Sequence, residues 1–351
     1  MLLGGLALLV FGADLLVKGA SGIAHRFGVP PLVIGLTIVA FGTSAPEASV
    51  GIQSALLGQA GITTGNVIGS NLFNTLAILG VAALLVPLVV SAQIIRKEVP
   101  VMIAATLLVL LLGRDGYYGW WDSLLLVSLL VGYTLWTITE ANRESAKSSQ
   151  PKEKINSKGP LILLLFTSSG LGLLVLGANG LVTGASTIAS ALGVDEVVIG
   201  LTIVAMGTSL PEAATSVVAT LKGERDLAVG NVIGSNIFNL TGVLGLSGLV
   251  APQAIPVPTS IQSYDIWVLL MATLLCLPVF ISGAEISRRE GLLFLFFYLV
   301  YMLDLVSEAT GNPLHSQLRN FELFVLFPLV VIAVALESWF LYRKKNLSNN
   351  S

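Results

Sequence analysis

The chain has 351 residues, 54% of them hydrophobic and only 11% charged, with a formal net charge of −2. Soluble domains carry about 25% charged residues, so too little charge is present to coat a water-facing surface. A soluble enzyme and a nucleic-acid-binding domain are excluded in favour of an integral membrane protein. The single cysteine, Cys276, also excludes an intramolecular disulfide framework and a thiolate metal centre.

Taken in chain order, the apolar runs predict eleven spans, since about 20 mostly apolar residues cross a ~30 Å hydrocarbon core. The first covers 2–24. No basic stretch precedes its apolar start and no small-residue cleavage site follows, so it reads as a span rather than a signal peptide. Spans over 31–57, 62–89, 98–113 and 120–139 complete a first unit, 1–139. Residues 140–159, rich in Ser and Lys, read as a mobile cytoplasmic tether. Spans over 160–190, 196–220, 226–250, 264–283 and 290–308 form a second unit, 160–308, and an extra span over 321–342 falls in the terminal region 319–351.

The two units are copies. Gly35–Asn74 and Gly200–Asn239 align without a gap at a constant offset of 165, with 23 identities in 40 positions. Matches continue upstream in Gly12/Gly177, Gly19-Ala20-Ser21 against Gly184-Ala185-Ser186, and Gly28-Val29 against Gly193-Val194. The shared residues include Thr, Ser, Pro, Glu and Asn, which two merely apolar helices would not share. The same offset sets Met1 against Phe166 while the sixth span begins near Pro160, so the first helix is several residues short and the natural N-terminus is expected upstream.

With the N-terminus outside, 15 of the 18 Lys and Arg residues fall in inside segments, only Arg114 and Arg319 fall in outside loops, and Lys18 lies within the first span. That bias is the one cytoplasmic loops show, and it places the C-terminus inside. Five spans per copy is an odd number, so the second copy enters the membrane from the opposite side. The expectation is an all-α polytopic membrane protein of two inverted five-helix repeats, ten helices in all, plus one extra C-terminal helix. Inverted repeats of this kind place their substrate site near the midplane.

Two polar patches recur in each copy. The first is Gly42-Thr43-Ser44-Ala45-Pro46-Glu47, matched by Gly207-Thr208-Ser209-Leu210-Pro211-Glu212. Each Glu follows about sixteen mostly apolar residues, roughly 24 Å of helix at 1.5 Å per residue, and so lies deep in the bilayer. An acid there costs at least ~2.5–3.5 kcal/mol, and no basic side chain in either motif offsets it. A pair of acids sharing a cation is the expected solution. Pro46 and Pro211 lack an N–H, so the carbonyls of Gly42 and Gly207 lose their helical donor and the helix opens. Thr43, Ser44, Thr208 and Ser209 add oxygens one turn from each Glu. Ca²⁺ takes 6–8 hard oxygen ligands, which two carboxylates and threonine carbonyls suit, while the Ser and Asn oxygens suit monovalent ions.

The second patch places Asn66, Ser70 and Asn74 on one helix face, and Asn231, Ser235 and Asn239 on another, by their four-residue spacing. Gly65 and Gly69, and Gly230 and Gly234, have the G-x-x-x-G spacing that permits close helix contact. For Asn66, Asn71, Asn231 and Asn236, helix packing alone competes with a role in ion binding.

The doubled G-T-S-x-P-E and G-N-x-I-G-S-N-x-x-N segments resemble the α-repeats of the sodium/calcium exchanger family, within the cation/calcium antiporter superfamily, over approximately Gly12–Val90 and Gly177–Val250. The resemblance implies ten core helices and four central ion sites in a diamond. It implies Ca²⁺ binding by Glu47, Glu212 and the carbonyls of Thr43 and Thr208. It implies Na⁺ binding by the Ala40 carbonyl, Ser44, Ser235 and Glu47 on one side, and by the Ala205 carbonyl, Ser209, Ser70 and Glu212 on the other, with Asn74 and Asn239 lining the middle. The function it implies is Na⁺/Ca²⁺ antiport by alternating access in a prokaryotic inner membrane, with Ca²⁺ and Na⁺ as substrates and no further cofactor. Two departures stand out. Some relatives, including potassium-dependent ones, carry an acid where Asn239 stands, so amides at both middle positions speak against K⁺ co-transport. Two carboxylates neutralise one Ca²⁺ but leave a charge of +1 with three Na⁺, which implies electrogenic exchange. The eleventh span exceeds the family core.

Other polar residues read as structural. Asp14 and Lys18 pair along the first helix, Asp304 and Glu308 at the outer end of the tenth span read as solvated at the interface in preference to a role at the outer mouth, Glu337 is interfacial, and His25 and His315 sit in loops. The basic tether follows the orientation rule. Rival functions are H⁺/Ca²⁺ antiport, in which the glutamates titrate, and a passive cation channel. An intramembrane hydrolase using Ser44 or Ser209 is disfavoured because neither motif holds a His or Lys to act as base.

Overall fold

A computed structural model describes residues 1–147, 159–193, 199, 202–203, 205–281, 284–333 and 336. The chain is helical almost throughout. In order run α1 (Leu2–Phe27), α2 (Pro31–Thr43), α3 (Ala45–Leu56), α4 (Gly61–Leu85), α5 (Val99–Leu112), α6 (Trp120–Lys147), α7 (Pro160–Ala191), α8 (Leu210–Leu221), α9 (Arg225–Val250), α10 (Ile261–Ile281), α11 (Arg288–Ala309) and α12 (Leu314–Ala333). One further turn, Ala205–Gly207, precedes α8.

Among the described residues, eight helices are long and apolar enough to cross a membrane, or nine with the bent pair α2–α3 taken as one span. Eleven spans were expected. The fourth is helical, but α5 has only 14 residues and is entered through Arg96, Lys97 and Glu98. The start of the seventh, 196–204, lies mostly outside the described residues, as do most of the tether and of 334–351. What is described of the tether begins as helix, because α6 continues to Lys147.

Local chemistry explains the breaks. Gly28 ends α1 in the left-handed conformation (φ 66°), and its repeat partner Gly193 (φ 78°) follows α7 in the same way. Only glycine adopts that conformation without strain. Two-residue β ladders interrupt the helical pattern: Leu88–Val89 with Glu285–Ile286, and Tyr117–Tyr118 with Ile255–Pro256. Each joins a loop of the first half to a loop of the second. Strands this short carry no periodicity that a sequence reading detects.

The motif-bearing helices are central. Within their most apolar windows, α9 is 89% buried and α4 78%, against 17% for α6 and for α12. The main core joins α4, α5, α9, α10 and α11, while α1 and α7 pack on one another beside it. Their crossing is close: a Cβ on Gly5 would lie 2.8 Å from the Gly177 carbonyl oxygen, and one on Gly12 2.9 Å from that of Gly170. Exposed Phe11, Leu164, Leu129, Leu135, Phe324 and Leu329 cover the outer surface, as a bilayer requires. The protein is an integral membrane protein.

Candidate functional site

The chain between α2 and α3 turns by 44° at Ser44 (φ −81°, ψ 7°). Ser209 (φ −90°, ψ 8°) holds the equivalent conformation before α8. Both breaks sit two residues ahead of Pro46 and Pro211, which then occupy the first turn of a new helix, where a missing N–H is harmless. Each break leaves two half-helix ends facing one point. The Gly42 carbonyl stands four residues ahead of Pro46, which has no N–H to donate, and the first turns of α3 and α8 carry Glu47 and Glu212, where the helix dipole favours negative charge.

Hydrogen bonds cross between the halves. Ser209 Oγ donates to Glu47 Oε1 at 2.7 Å, and Ser44 Oγ donates to Glu212 Oε1 at 2.8 Å. Ser70 Oγ reaches Glu47 Oε1 at 3.5 Å. Ser44 thus bonds the carboxylate of the other half, while Glu47 receives both Ser209 from the other half and Ser70 from its own. The serine lies at the break itself, so its hydroxyl projects across the centre instead of along its own helix.

A second layer repeats the pattern. Thr43 Oγ1 donates to Asn231 Oδ1 at 3.1 Å and Thr208 Oγ1 to Asn66 Oδ1 at 3.3 Å. The amides then donate back to the breaks, Asn66 to the Glu47 carbonyl at 3.4 Å and Asn231 to the Glu212 carbonyl at 3.5 Å. Asn66 and Asn231 therefore hold the opened helices rather than merely packing. Asn71 bonds its own helix at the Val67 carbonyl (2.7 Å), and Asn236 crosses to Thr75 Oγ1 (2.7 Å). Ser216, singled out by nothing in the motif, accepts from Asn231 at 3.0 Å.

The fit to cations rests on orphaned atoms. Glu47, Glu212, Ser235, Asn74 and Asn239 are fully buried. Glu47 Oε2, Glu212 Oε2, Ser235 Oγ and both amide atoms of Asn74 and Asn239 have no hydrogen-bond partner. Buried polar groups are otherwise nearly always satisfied, and two carboxylates without a basic partner demand positive charge. The Ala40 carbonyl is already engaged, accepting from the Ser44 N–H at 3.0 Å and Thr43 Oγ1 at 3.3 Å, whereas Ala205 opens the turn before Thr208. The helices of Asn74 and Asn239 widen into π turns over Phe73–Ile78 and Asn239–Val243, a distortion common at functional sites and without a compositional signature.

The halves differ in how open they are. A cavity of about 410 Å³ reaches Asn66 and Thr208, lined also by Gly65, Gly69, Met206 and Asp265. Nothing would touch a Cβ on Gly69, whereas one on Gly234 would lie 2.7 Å from the backbone of Leu36. The G-x-x-x-G spacing permits close helix contact in both copies, but only Gly230 and Gly234 make it, against α2.

The structural reading of other polar groups is partly corrected. Lys18 Nζ meets Asp14 at 2.7 Å as expected, and Lys222 joins the pair from the end of α8. Asp304 is buried and ion-paired with Arg319 rather than solvated. His25 lies in the last turn of α1 and His315 within α12. Glu337 falls outside the described residues.

Comparison with known proteins gives a consistent answer. The family described as sodium/calcium exchanger protein matches residues 1–139 and 162–306. The putative antiporter CaxA of Alkalimonas amylolytica is 38% identical over 316 residues, covering 87% of this chain and 97% of CaxA. The inner membrane protein YrbG of Escherichia coli strain K12 is 34% identical over 308 residues, covering 86% and 94%. The solved structure of the sodium-calcium exchanger NCX_Mj superposes with a TM-score of 0.74 at 33% identity, covering 87% of this chain and 97% of that one.

Proposed function

The chain belongs to the sodium/calcium exchanger family, and from that premise we propose that it is a secondary antiporter exchanging Na⁺ for Ca²⁺ by alternating access. The observation that carries the reading is the ring of buried, unpartnered oxygens on Glu47, Glu212, Asn74, Asn239 and Ser235, held in place by the crossed Ser44 and Ser209 hydrogen bonds. In this reading Ca²⁺ lies between the two carboxylates and the carbonyls of Thr43 and Thr208. Na⁺ ions occupy flanking positions among Ser44, Ser70, Ser209, Ser235 and the carbonyls of Ala40 and Ala205, with Asn74 and Asn239 between. Binding of either ion set neutralises the same carboxylates, so the two sets compete, which is the basis of obligatory exchange.

Units 1–139 and 160–308 act as inverted repeats. Support comes from the reciprocity of their contacts: a residue of one half meets its partner's neighbour in the other, and the converse contact repeats it, as in a two-fold interface. The N-terminus faces outside and the C-terminus the cytoplasm of a prokaryotic inner membrane. The open cavity beside Asn66 and Thr208 is then the outer access route, and α2 packed on Gly230 and Gly234 closes the inner one. The reverse packing, α4 against the turn before Ser209, generates the inward-facing state.

The test is Ca²⁺ uptake into proteoliposomes. Vesicles loaded with Na⁺ take up Ca²⁺ only while an outward Na⁺ gradient exists, and a pH gradient without Na⁺ does not replace it. Glu47→Gln and Glu212→Gln each abolish gradient-driven uptake. Uptake driven equally by protons would overturn the Na⁺ reading, and retained exchange in either variant would overturn the shared site.

A further inference from the structure

The family match ends at residue 306, yet a side chain from beyond it packs behind the wall of the cavity, one ring away from its lining. Arg319, in the second turn of α12, lies over the Tyr264 ring with its guanidinium carbon 4.2 Å from the centroid. It donates to Glu308 Oε2 at 2.6 Å and to Asp304 Oδ2 at 3.3 Å. Tyr264 stacks on Tyr301 at 6.4 Å, and the Tyr301 hydroxyl donates to Asp265 Oδ1 at 3.2 Å. Asp265 and Tyr301 line the cavity that leads to Asn66 and Thr208. Asp304 is fully buried and its second oxygen is unpartnered. Two carboxylates thus pair with one guanidinium, and a third, Asp265, lies beyond the stacked tyrosines at the cavity wall, so all three contribute to the potential there.

We propose that Arg319 is a specificity-determining residue: its charge sets the potential of the access cavity and thereby the ease with which divalent cations, relative to monovalent ones, enter the site. The inference rests on the exchange reading above and deepens it. Asp265, Asp304 and Glu308 with Arg319 sum to −2, and without the guanidinium to −3. The attraction of a cation to the added charge scales with the cation's own valence, so the factor gained by Ca²⁺ is the square of that gained by Na⁺. For a unit charge about 10 Å away in a water-like dielectric these factors are about fourfold and about twofold.

The experiment uses the full chain in proteoliposomes and measures half-saturating Ca²⁺ and Na⁺ at the cavity side. Arg319→Gln lowers half-saturation about fourfold for Ca²⁺ and about twofold for Na⁺ near 10 mM salt, and the effect collapses near 1 M, where the Debye length shrinks from about 30 to about 3 Å. Arg319→Lys, which keeps the charge, stays near wild type. Equal shifts for both ions, no salt dependence, or a Lys variant that behaves like Gln would assign Arg319 to packing and overturn the proposal. Glu308→Gln, at a part-exposed position, covers the case in which Arg319→Gln does not fold. It raises half-saturation with the same squared relation, and a shift that ignores valence sinks the idea.

A wild-type protein that shows no Na⁺-driven Ca²⁺ uptake would refute the exchange reading instead. Tyrosine-sensitised Tb³⁺ luminescence on the same variants in detergent then decides separately. Tighter Tb³⁺ binding in Arg319→Gln supports the cavity potential, and unchanged binding overturns it.

Discussion

The Ser209 hydroxyl donates to Glu47 Oε1 at 2.7 Å, across 162 positions of chain, and the converse contact from Ser44 to Glu212 repeats it at 2.8 Å. Each half of the molecule therefore orients the carboxylate of the other. A hydrogen bond to a charged group contributes about 1.5–3 kcal/mol, and every 1.4 kcal/mol is tenfold in affinity. Ser209→Ala and Ser44→Ala should each weaken half-saturating Ca²⁺ by about tenfold or more, and by similar factors. ⁴⁵Ca²⁺ uptake titrations check this, and a large loss in one variant with none in the other would contradict the two-fold relation.

Gly69 and Gly234 occupy the same motif position but meet different surroundings. A methyl group at Gly234 would press on Leu36 and on the Ala40 side chain at 2.9 Å, while one at Gly69 would project into open space. Overpacking a tight contact costs about 1–3 kcal/mol, and surface-like changes fall within about 0.5 kcal/mol. Gly234→Ala should lower the thermal midpoint in detergent by several degrees, whereas Gly69→Ala should leave it in place. Equal shifts would mean that the open cavity is not the resting arrangement.

Access from one side can be read directly by thiol labelling. Cys276 is buried, so new cysteines report against a quiet background. Met206→Cys, on the cavity wall, should react with a membrane-impermeant maleimide, and Leu36→Cys, buried in the closed contact with α9, should not. Na⁺ or Ca²⁺ gradients that drive turnover should raise labelling at Leu36→Cys, and a rate insensitive to both ions would oppose a moving barrier.

Much of this site is legible from spacing. A carboxylate following some sixteen apolar residues needs a reason to be there, and its exact duplicate at Glu212 supplies one. The proline two residues beyond each serine marks the break. What spacing does not carry is partnership across the centre. A four-residue interval puts Ser70 on the face of Asn74, but says nothing of which helix that face meets, so the hydrogen bonds of Ser44 to Glu212 and of Ser209 to Glu47 cannot be read from it. Identical G-x-x-x-G motifs diverge because openness is a property of one conformational state and not of composition. Arg319 appears in the charge pattern only as one of two outside cations, since Asp304, Glu308 and Tyr264 lie 15, 11 and 55 positions away and only tertiary packing gathers them. The π turns at Asn74 and Asn239 are invisible for a related reason: any apolar helix accepts the extra residue if a neighbouring contact rewards it.

Asn239 offers the sharpest test of charge balance. Its amide is fully buried with both polar atoms unpartnered, and Asp is nearly its isostere. Asn239→Asp would bring the site from two negative charges to three. One Ca²⁺ then leaves an uncompensated charge in a low-dielectric interior, which costs several kcal/mol unless another cation or a proton accompanies it. Exchange in Asn239→Asp should acquire a dependence on external pH or on K⁺ that the wild type lacks, with Ca²⁺ uptake recovering as either co-ion is supplied. Asn74→Asp should behave alike, because the two amides occupy equivalent places. Uptake in both variants that ignores pH and K⁺ would show that these amides lie outside the electrostatic reach of the transported ions, and the central position proposed for them would have to be abandoned.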